Sequence, residues 1–397
     1  MSMNQTPAGD RVHIGFFGRR NAGKSSIVNA VTGQQLAIVS EIKGTTTDPV
    51  YKTMELLPMG PVMIIDTPGI DDEGFLGEQR IKKTKQVLNK IDVAVLVVDA
   101  TEGIKEADEQ LLQLFGHKSI PYVIVMNKSD MCDVPGRSDP RQIWVSAKEN
   151  QGITELKEKI AALIKGRDDQ RKIVSDLLKP SDVVVLVVPI DDAAPKGRLI
   201  LPQQQTIRDI LDGHGVCIVA RETELEDMLA HMGMKPKLVI TDSQAFGEVK
   251  DIVPKDIWLT SFSILFARYK GNLKQTIEGV RMLDKLKDGD NILISEGCTH
   301  HRQCNDIGTV KIPGMIRGYT GCRLNFDWTS GTEFPENLSK YQLIVHCGGC
   351  MLNEREMNFR QESAGDAKVP MTNYGILMAH INGILKRSLE PFPDIRF

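Results

Sequence analysis

From Val12 to about Lys165, short uninterrupted apolar runs alternate with amphipathic stretches of helix length. His13–Phe17, Val62–Ile65, Val93–Val98, Tyr122–Met126 and Gln142–Val145 lack the alternation of a half-exposed strand. They predict buried strands of a parallel, doubly wound sheet with helices on both faces. The charged stretch Lys165–Lys172 breaks the pattern and reads as a linker or exposed connecting helix. A second α/β block begins at Ser181-Asp182 with a strand over Val183–Val188 and a Pro- and Gly-bearing loop from Pro189 to Pro202. A helix over Thr206–Leu211, a strand over Lys237–Ile240 and a strand or helix start over Ile257–Phe262 follow. Asp92–Asp99 and Asp182–Val188 look alike, which fits an internal duplication but which two buried parallel strands show anyway. A third block starts near Gly271-Asn272, where Ile277, Val280, Leu283 and Leu286 recur at helical spacing and Gly289 lies where a cap falls. Asn291–Ser295 and Leu343–Val345 read as short strands, and the Gly- and Thr-rich Lys311–Thr332 as loop. The expectation is an α/β fold of three domains, 1–170, 171–270 and 271–397.

Composition is that of an ordinary globular protein, 41% hydrophobic and 25% charged over 397 residues. A net charge of −3 and a pI near 6.3 argue against a whole-protein grip on nucleic acid. Met1 to Asp10 is polar, without the apolar core of a signal peptide, and the longest apolar runs are strand-length. The reading is a cytoplasmic protein without membrane association, whose seven cysteines are thiols or metal ligands, not disulfides.

Gly18-Arg19-Arg20-Asn21-Ala22-Gly23-Lys24-Ser25-Ser26 fits the phosphate-loop pattern between a strand and a helix. Backbone N–H groups cradle phosphates there, Lys24 reaches the outer phosphate oxygens and Ser25 binds Mg²⁺. Asp66-Thr67-Pro68-Gly69 ends a strand, with Asp66 in the Mg²⁺ shell and Gly69 sensing the γ-phosphate. Asn127-Lys128-Ser129-Asp130 supplies a carboxylate that accepts two hydrogen bonds from a guanine edge, and Ser146-Ala147-Lys148 is the second guanine-contacting segment. In Gly44-Thr45-Thr46-Thr47-Asp48, Thr46 is the switch threonine on Mg²⁺. Together these motifs resemble the Era and MnmE type of GTPase. Ile70 stands where Ras-like enzymes carry a water-orienting glutamine. The resemblance implies that Asn21 helps bind K⁺ in place of an arginine finger, giving slow, K⁺-stimulated hydrolysis of GTP to GDP. Arg20 departs from the proline usual in these relatives. Asp71-Asp72-Glu73 reads as an exposed switch loop.

Cys298-Thr299-His300 and His346-Cys347-Gly348-Gly349-Cys350 each follow a strand end, where ligand sites of open α/β sheets collect. Sulfur and imidazole ligands suit iron–sulfur clusters or zinc. Cys347-x-x-Cys350 alone also fits a redox pair or half a zinc site. A second Cys-x-x-Cys pair and the Cys-x-x-x-Cys-x-x-Cys run of radical-SAM enzymes are both absent. Cys298, Cys347 and Cys350 remain, with His300 and His346 nearby.

Cys-x-His followed by His-Cys-x-x-Cys behind an Era-like GTPase resembles the HydF family, the maturation GTPases of di-iron hydrogenases. The resemblance spans the chain as GTPase, dimerisation and cluster domains. It implies a 4Fe–4S cluster on Cys298, Cys347 and Cys350 with the fourth iron site held by a labile or non-Cys ligand. It also implies a transient di-iron precursor, delivery to apo-hydrogenase, radical-SAM maturases as partners, and a homodimer or higher oligomer. His300, His346 and Cys304 are the alternatives for the fourth ligand or the surrounding hydrogen bonds. Cys322 is a further thiol that could line the site; Cys132, Cys217 and His380, on the last helix, read as structural. The competing reading is an RNA-associated ribosome-assembly or tRNA-modification GTPase with a C-terminal zinc module.

Overall fold

A strand buried on both faces must be apolar at every position, and the inner strands here are covered by helices on either side. The computed structural model describes residues 6–34, 49–69, 83–134, 139–165, 171–190, 199–297 and 306–395. They cluster as two compact units, 1–169 and 170–397. In the first, β1 (Val12–Phe17), β2 (Val50–Leu56), β3 (Gly60–Asp66), β4 (Val93–Asp99), β5 (Tyr122–Asn127) and β6 (Gln142–Trp144) form one sheet in the order β2-β3-β1-β4-β5-β6. The helices α1 (Lys24–Thr32), α2 (Glu106–His117) and α3 (Ile153–Lys165) cover it. Ile14, Val95 and Val97 pack with Ile27 and Val31 of α1 and Leu156 and Ile160 of α3. Phe17, Ala94 and Leu96 face Leu111 and Phe115 of α2 on the other side.

The second unit holds two all-parallel four-stranded sheets. One is β10-β9-β7-β8, from β7 (Val183–Val187), β8 (Val216–Ala220), β9 (Leu238–Thr241) and β10 (Trp258–Ser261). Its helices are α4 (Leu201–Asp212), α5 (Leu225–His231), α6 (Phe246–Ile252) and α7 (Phe262–Lys270). The other is β12-β11-β13-β14, from β11 (Asn291–Ser295), β12 (Asn325–Thr329), β13 (Leu343–His346) and β14 (Met371–Asn373). With it go α8 (Leu273–Val280), α9 (Ile312–Thr320), α10 (Glu354–Asp366), α11 (Tyr374–Ile381) and α12 (Leu385–Ser388). Val184, Leu186 and Ile240 of one sheet and Ile292, Ile294 and Val345 of the other share a single core with Leu265, Ile277 and Leu377. The outer faces have separate cores, Val185 and Val187 with Leu225 and Val249, and Leu293 and Ile344 with Met357 and Ala364.

Several expectations change. Ile257–Phe262 resolves into β10 followed directly by α7. The run from Ile277 to Leu286 is split, with α8 ending at Val280 and one 3₁₀ turn over Leu283–Lys285. Lys311–Thr332 is not a loop: Ile312 and Ile316 bury one face of α9, and β12 forms the sheet edge. Pro313, Gly314 and Gly318 obscured α9, and β12, an edge strand, buries too little to leave an apolar run. His380 lies on α11, not the last helix, with its Nε2 3.4 Å from Asp284 Oδ1. Both β4 and β7 are inner strands flanked by parallel neighbours.

Gly279, inside α8, sits against β14: a Cβ there would lie 2.1 Å from the Met371 carbonyl oxygen. Helix propensity favours Ala over Gly by about 1 kcal/mol, whereas overpacking costs ~1–3 kcal/mol or more. The backbone contact should win, so Gly279→Ala is expected to lower the urea midpoint of the second unit. A midpoint unchanged or raised would contradict this packing.

Candidate functional site

In an open parallel sheet, ligands collect where two adjacent strands send their chains to opposite sides. In the first unit this happens between β1 and β4, and the loop after β1 opens there. The loop needs unusual backbone: Gly18, Asn21 and Gly23 have φ of 141°, 59° and 89°. A Cβ on Gly18 would strike the Val97 carbonyl at 2.1 Å, and one on Gly23 the Asn127 amide nitrogen at 2.2 Å. The buried Lys24 ammonium donates to the Gly18 and Arg19 carbonyls at 2.9 and 2.7 Å, which holds it inside the loop. Arg19 ties the loop to α2 through Asp108 Oδ2 at 3.1 Å and to Glu102 at 2.7 Å.

Ser25 Oγ donates to Asp66 Oδ2 at 3.2 Å, so the hydroxyl and carboxylate expected on Mg²⁺ are adjacent. Asp66 Oδ1 is buried without a hydrogen-bond partner, as an oxygen meant for a cation would be. Burial raises the Asp66 pKa, partly offset by the charge of Lys24 and the hydrogen bond from Ser25. Gly69 presses on the phosphate loop: a Cβ would lie 2.9 Å from Arg20 N. Asn127 joins the base and phosphate segments, donating to the Ala22 carbonyl at 3.0 Å and accepting from Ala147 N at 3.2 Å. Lys128, at φ 66°, pairs with Asp99 at the end of β4. Burial would raise the Asp99 pKa, but the Lys128 and Thr101 hydrogen bonds outweigh it and bring it down. Asp130 is exposed and held below the usual carboxylate range, chiefly by the Ser146 hydroxyl. Lys148 is exposed beside Glu149, and Ser26 is half-buried on α1. Thr46 and the stretch from Ile70 to Glu73 lie outside the described residues.

The second unit repeats the rule between β11 and β13, whose C-terminal ends carry the cysteine motifs. Cys347 N donates to the Ser295 carbonyl at 2.9 Å. Cys347 Sγ accepts backbone N–H bonds from Gly297 at 3.1 Å and Gly349 at 3.4 Å. Such donors stabilise sulfur carrying negative charge, as a thiolate ligand does. Burial pushes the Cys347 thiol up to about 11, against those two bonds. Gly349 adopts φ 63°, and a Cβ there would meet Met357 Sδ at 2.7 Å. Two soft ligands therefore share one tight turn, which fits a cluster or zinc donor set. Cys298, His300, His301 and Cys304 lie outside the described residues. Among the described residues no group of three or more His, Cys, Asp or Glu is placed to hold a metal.

Both ring nitrogens of His346 are engaged. Nδ1 lies 2.7 Å from the Cys347 carbonyl, and Nε2 accepts from Arg360 Nη1 at 3.0 Å. Burial and the Arg360 charge push the imidazole down to about 3, so it is neutral. Arg360, fully buried, spends all five N–H donors, on Glu356 twice, Ser295, His346 and the Gly331 carbonyl. Nearby, Tyr374 OH donates to the buried Glu296 at 3.1 Å; burial and the Glu296 charge raise the phenol pKa. Arg360 and Glu356 escaped the sequence reading because an i,i+4 pair on a polar helix looks like solvent-exposed charge. Cys322 lies at the other end of the sheet: it precedes β12, and its Sγ donates to the Leu286 carbonyl at 3.4 Å, before β11.

The hydrogen maturase F dimerization domain matches residues 173–271 and the hydrogen maturase F tetramerization domain residues 249–391. The 50S ribosome-binding GTPase family matches 13–128. Among curated relatives, the tRNA modification GTPase MnmE of Heliobacterium modesticaldum is 32% identical over 264 residues, 62% of this chain and 50% of that protein. MnmE of Legionella pneumophila is 38% identical over 153 residues, 37% of this chain and 33% of that protein. The chain thus spans half or less of the length of these relatives. A solved structure of Era from Aquifex aeolicus is 20% identical with a TM-score of 0.34, covering 56% of this chain and 98% of that one.

Asp66 yields a prediction with a definite sign. Its pKa is raised on folding, so its charged form destabilises the nucleotide-free fold at neutral pH, and that cost fades as acid protonates it. Asp66→Asn should therefore raise the thermal midpoint of the nucleotide-free chain near pH 7, by a margin that shrinks on acidification, while Mg²⁺-dependent GTP hydrolysis is lost. A margin that grows on acidification would refute this.

Proposed function

We propose that this chain, which belongs to the hydrogen maturase F (HydF) family, is a GTP-hydrolysing scaffold for assembly of the di-iron hydrogenase site. The GTPase domain binds GTP or GDP with Mg²⁺, and the matched dimerization and tetramerization domains make the chain self-associating. In our reading Cys298, Cys347 and Cys350 hold a 4Fe–4S cluster, and the chain carries a di-iron precursor to apo-hydrogenase in the cytoplasm. The radical-SAM maturases would supply that precursor. The observation that carries this reading is the half-buried Cys347, at a strand switch point with two backbone N–H donors aimed at its sulfur. With His346 engaged on both sides, imidazole support for the Cys347 backbone is favoured over iron ligation. The fourth iron position is then left to His300, Cys304 or an exchangeable ligand, and an exchangeable position is what a scaffold needs.

The nucleotide would act through Thr46 and Gly69. Since Gly69 lies so near the Arg20 backbone that a Cβ would clash with it, a γ-phosphate in the loop would have a direct purchase on the segment that follows β3. Hydrolysis would gate partner association rather than drive chemistry at the metal. Lys24 would stabilise the phosphate charge, while Asn21, exposed at the crown of the loop, is available for K⁺ beside the phosphates.

Anaerobically purified protein is expected to contain iron and acid-labile sulfide, with Cys347→Ala, Cys350→Ala and Cys298→Ala each losing the cluster's absorption and EPR signals. Zinc without sulfide would support the RNA-associated alternative, and a variant that keeps its signals removes that cysteine from the ligand set. GTP turnover should be faster in K⁺ than in Na⁺, with the difference abolished in Asn21→Ala; equal rates in the two salts would end the K⁺ proposal.

A further inference from the structure

Lys270, the last residue of α7, is 3% exposed although it carries an ammonium group. Its Nζ donates to the Cys350 carbonyl at 3.0 Å and to the Leu352 carbonyl at 3.0 Å, and it lies 5.9 Å from the Phe266 ring centroid. A buried charge of this kind is costly unless its donors are satisfied, so the carbonyls it grips are held firmly. Those carbonyls belong to the cysteine turn itself and to the residue two beyond it.

The same junction is clamped by α10. Asn272 N donates to Gln361 Oε1 at 2.8 Å, and Gln275 Nε2 donates to the Gln361 carbonyl at 3.0 Å. A Cβ on Gly271 would lie 2.9 Å from the Gln361 side chain, so the chain passes with no room to spare. At its other end α7 begins on the sheet of β7 to β10. Ser261, the last residue of β10, caps it by accepting from Ile264 N at 3.3 Å, and Ser243 Oγ donates to the Ser261 hydroxyl at 3.2 Å. One rigid element therefore runs from the sheet within the dimerization match to the backbone of a cysteine. Residues 249–271, which contain Lys270, are the stretch matched by both the dimerization and the tetramerization domains.

We infer that Lys270 is a positioning residue for the cysteine turn: its ammonium fixes the Cys350 and Leu352 carbonyls, ties the turn to the dimerization sheet, and stabilises the more negative state of whatever metal centre the turn holds. The inference rests on the cluster reading above. A fixed positive charge reaching a ligand through its own carbonyl favours the reduced centre, so removing it makes reduction harder. Loss of two charged hydrogen bonds also loosens the turn, and supporting groups of this kind change metal retention by about 10- to 100-fold.

The test compares full-length wild type, Lys270→Met and Lys270→Gln after anaerobic iron–sulfide reconstitution. Met removes charge and donors, whereas Gln removes the charge but keeps an amide donor. Both variants are expected to keep GTP hydrolysis, which belongs to the other compact unit. Both should show a more negative midpoint potential than wild type. Iron loss to a chelator should be about tenfold faster in Lys270→Met and intermediate in Lys270→Gln. Wild-type potential and chelation rate in both variants overturn the inference, while a wild type that binds no iron overturns the cluster reading instead. If neither variant folds, hydrogen exchange on the wild type decides. Loading the cluster should slow exchange over residues 266–272 as well as 347–352, and slowing confined to 347–352 refutes the link.

Discussion

Burial of both faces of a parallel strand leaves its C-terminal end as the place where polar groups can gather, and this constraint shapes both sites of the chain. Each site forms where neighbouring strands part, β1 from β4 and β11 from β13. At both, backbone groups and a few polar side chains hold the loop. The phosphate loop closes on Lys24 and Asn127; the cysteine turn closes on Gly297, Gly349 and Lys270. Glycine is required where these loops touch the strands beneath, since a methyl group on Gly18 or Gly23 would occupy space already filled by Val97 or Asn127.

The two sites differ in how charge is tolerated. Around the phosphate loop the charges are left partly uncompensated: the Asp66 carboxylate is buried with one bare oxygen, a destabilised arrangement that a cation relieves. Around the cysteine turn the charges are sequestered. Arg360 is surrounded on every donor, Glu356 answers it within the same helix, and His346 is kept neutral by burial and the adjacent Arg360 charge. A buried pair of this quality contributes little net stability, but breaking either half is expensive. Its effect is to hold Ser295 and His346, the last residues of β11 and β13, in one relative position.

Much of the fold was legible because its signal was strong. The apolar runs at Val93–Val98 and Val183–Val188 supply β4 and β7, and Asp66 and Asn127 are the last residues of β3 and β5. What escaped had a physical reason. β12 exposes Asn325, Asp327 and Trp328, so no apolar run marks it, and β14 is three residues long. The cysteines could be read from spacing, yet the groups that hold their turn could not. Lys270 ends a helix as lysines commonly do, and nothing local separates a buried lysine there from a solvated one. Arg360 lies 65 residues from Ser295, and no local pattern pairs the two.

That long-range dependence sets an order of assembly. Ser295, Gly331 and His346 all precede the arginine that joins them, and α10 must be complete before Arg360 can reach any of the three. A chain emerging N-terminus first therefore exposes its cysteines for some time with the strand ends unsecured. Iron captured at that stage would meet a loose pair of thiols rather than a shaped turn. On the cluster reading proposed above, faithful metallation would be an event of the finished domain, and the nascent chain the period in which the wrong metal could be trapped.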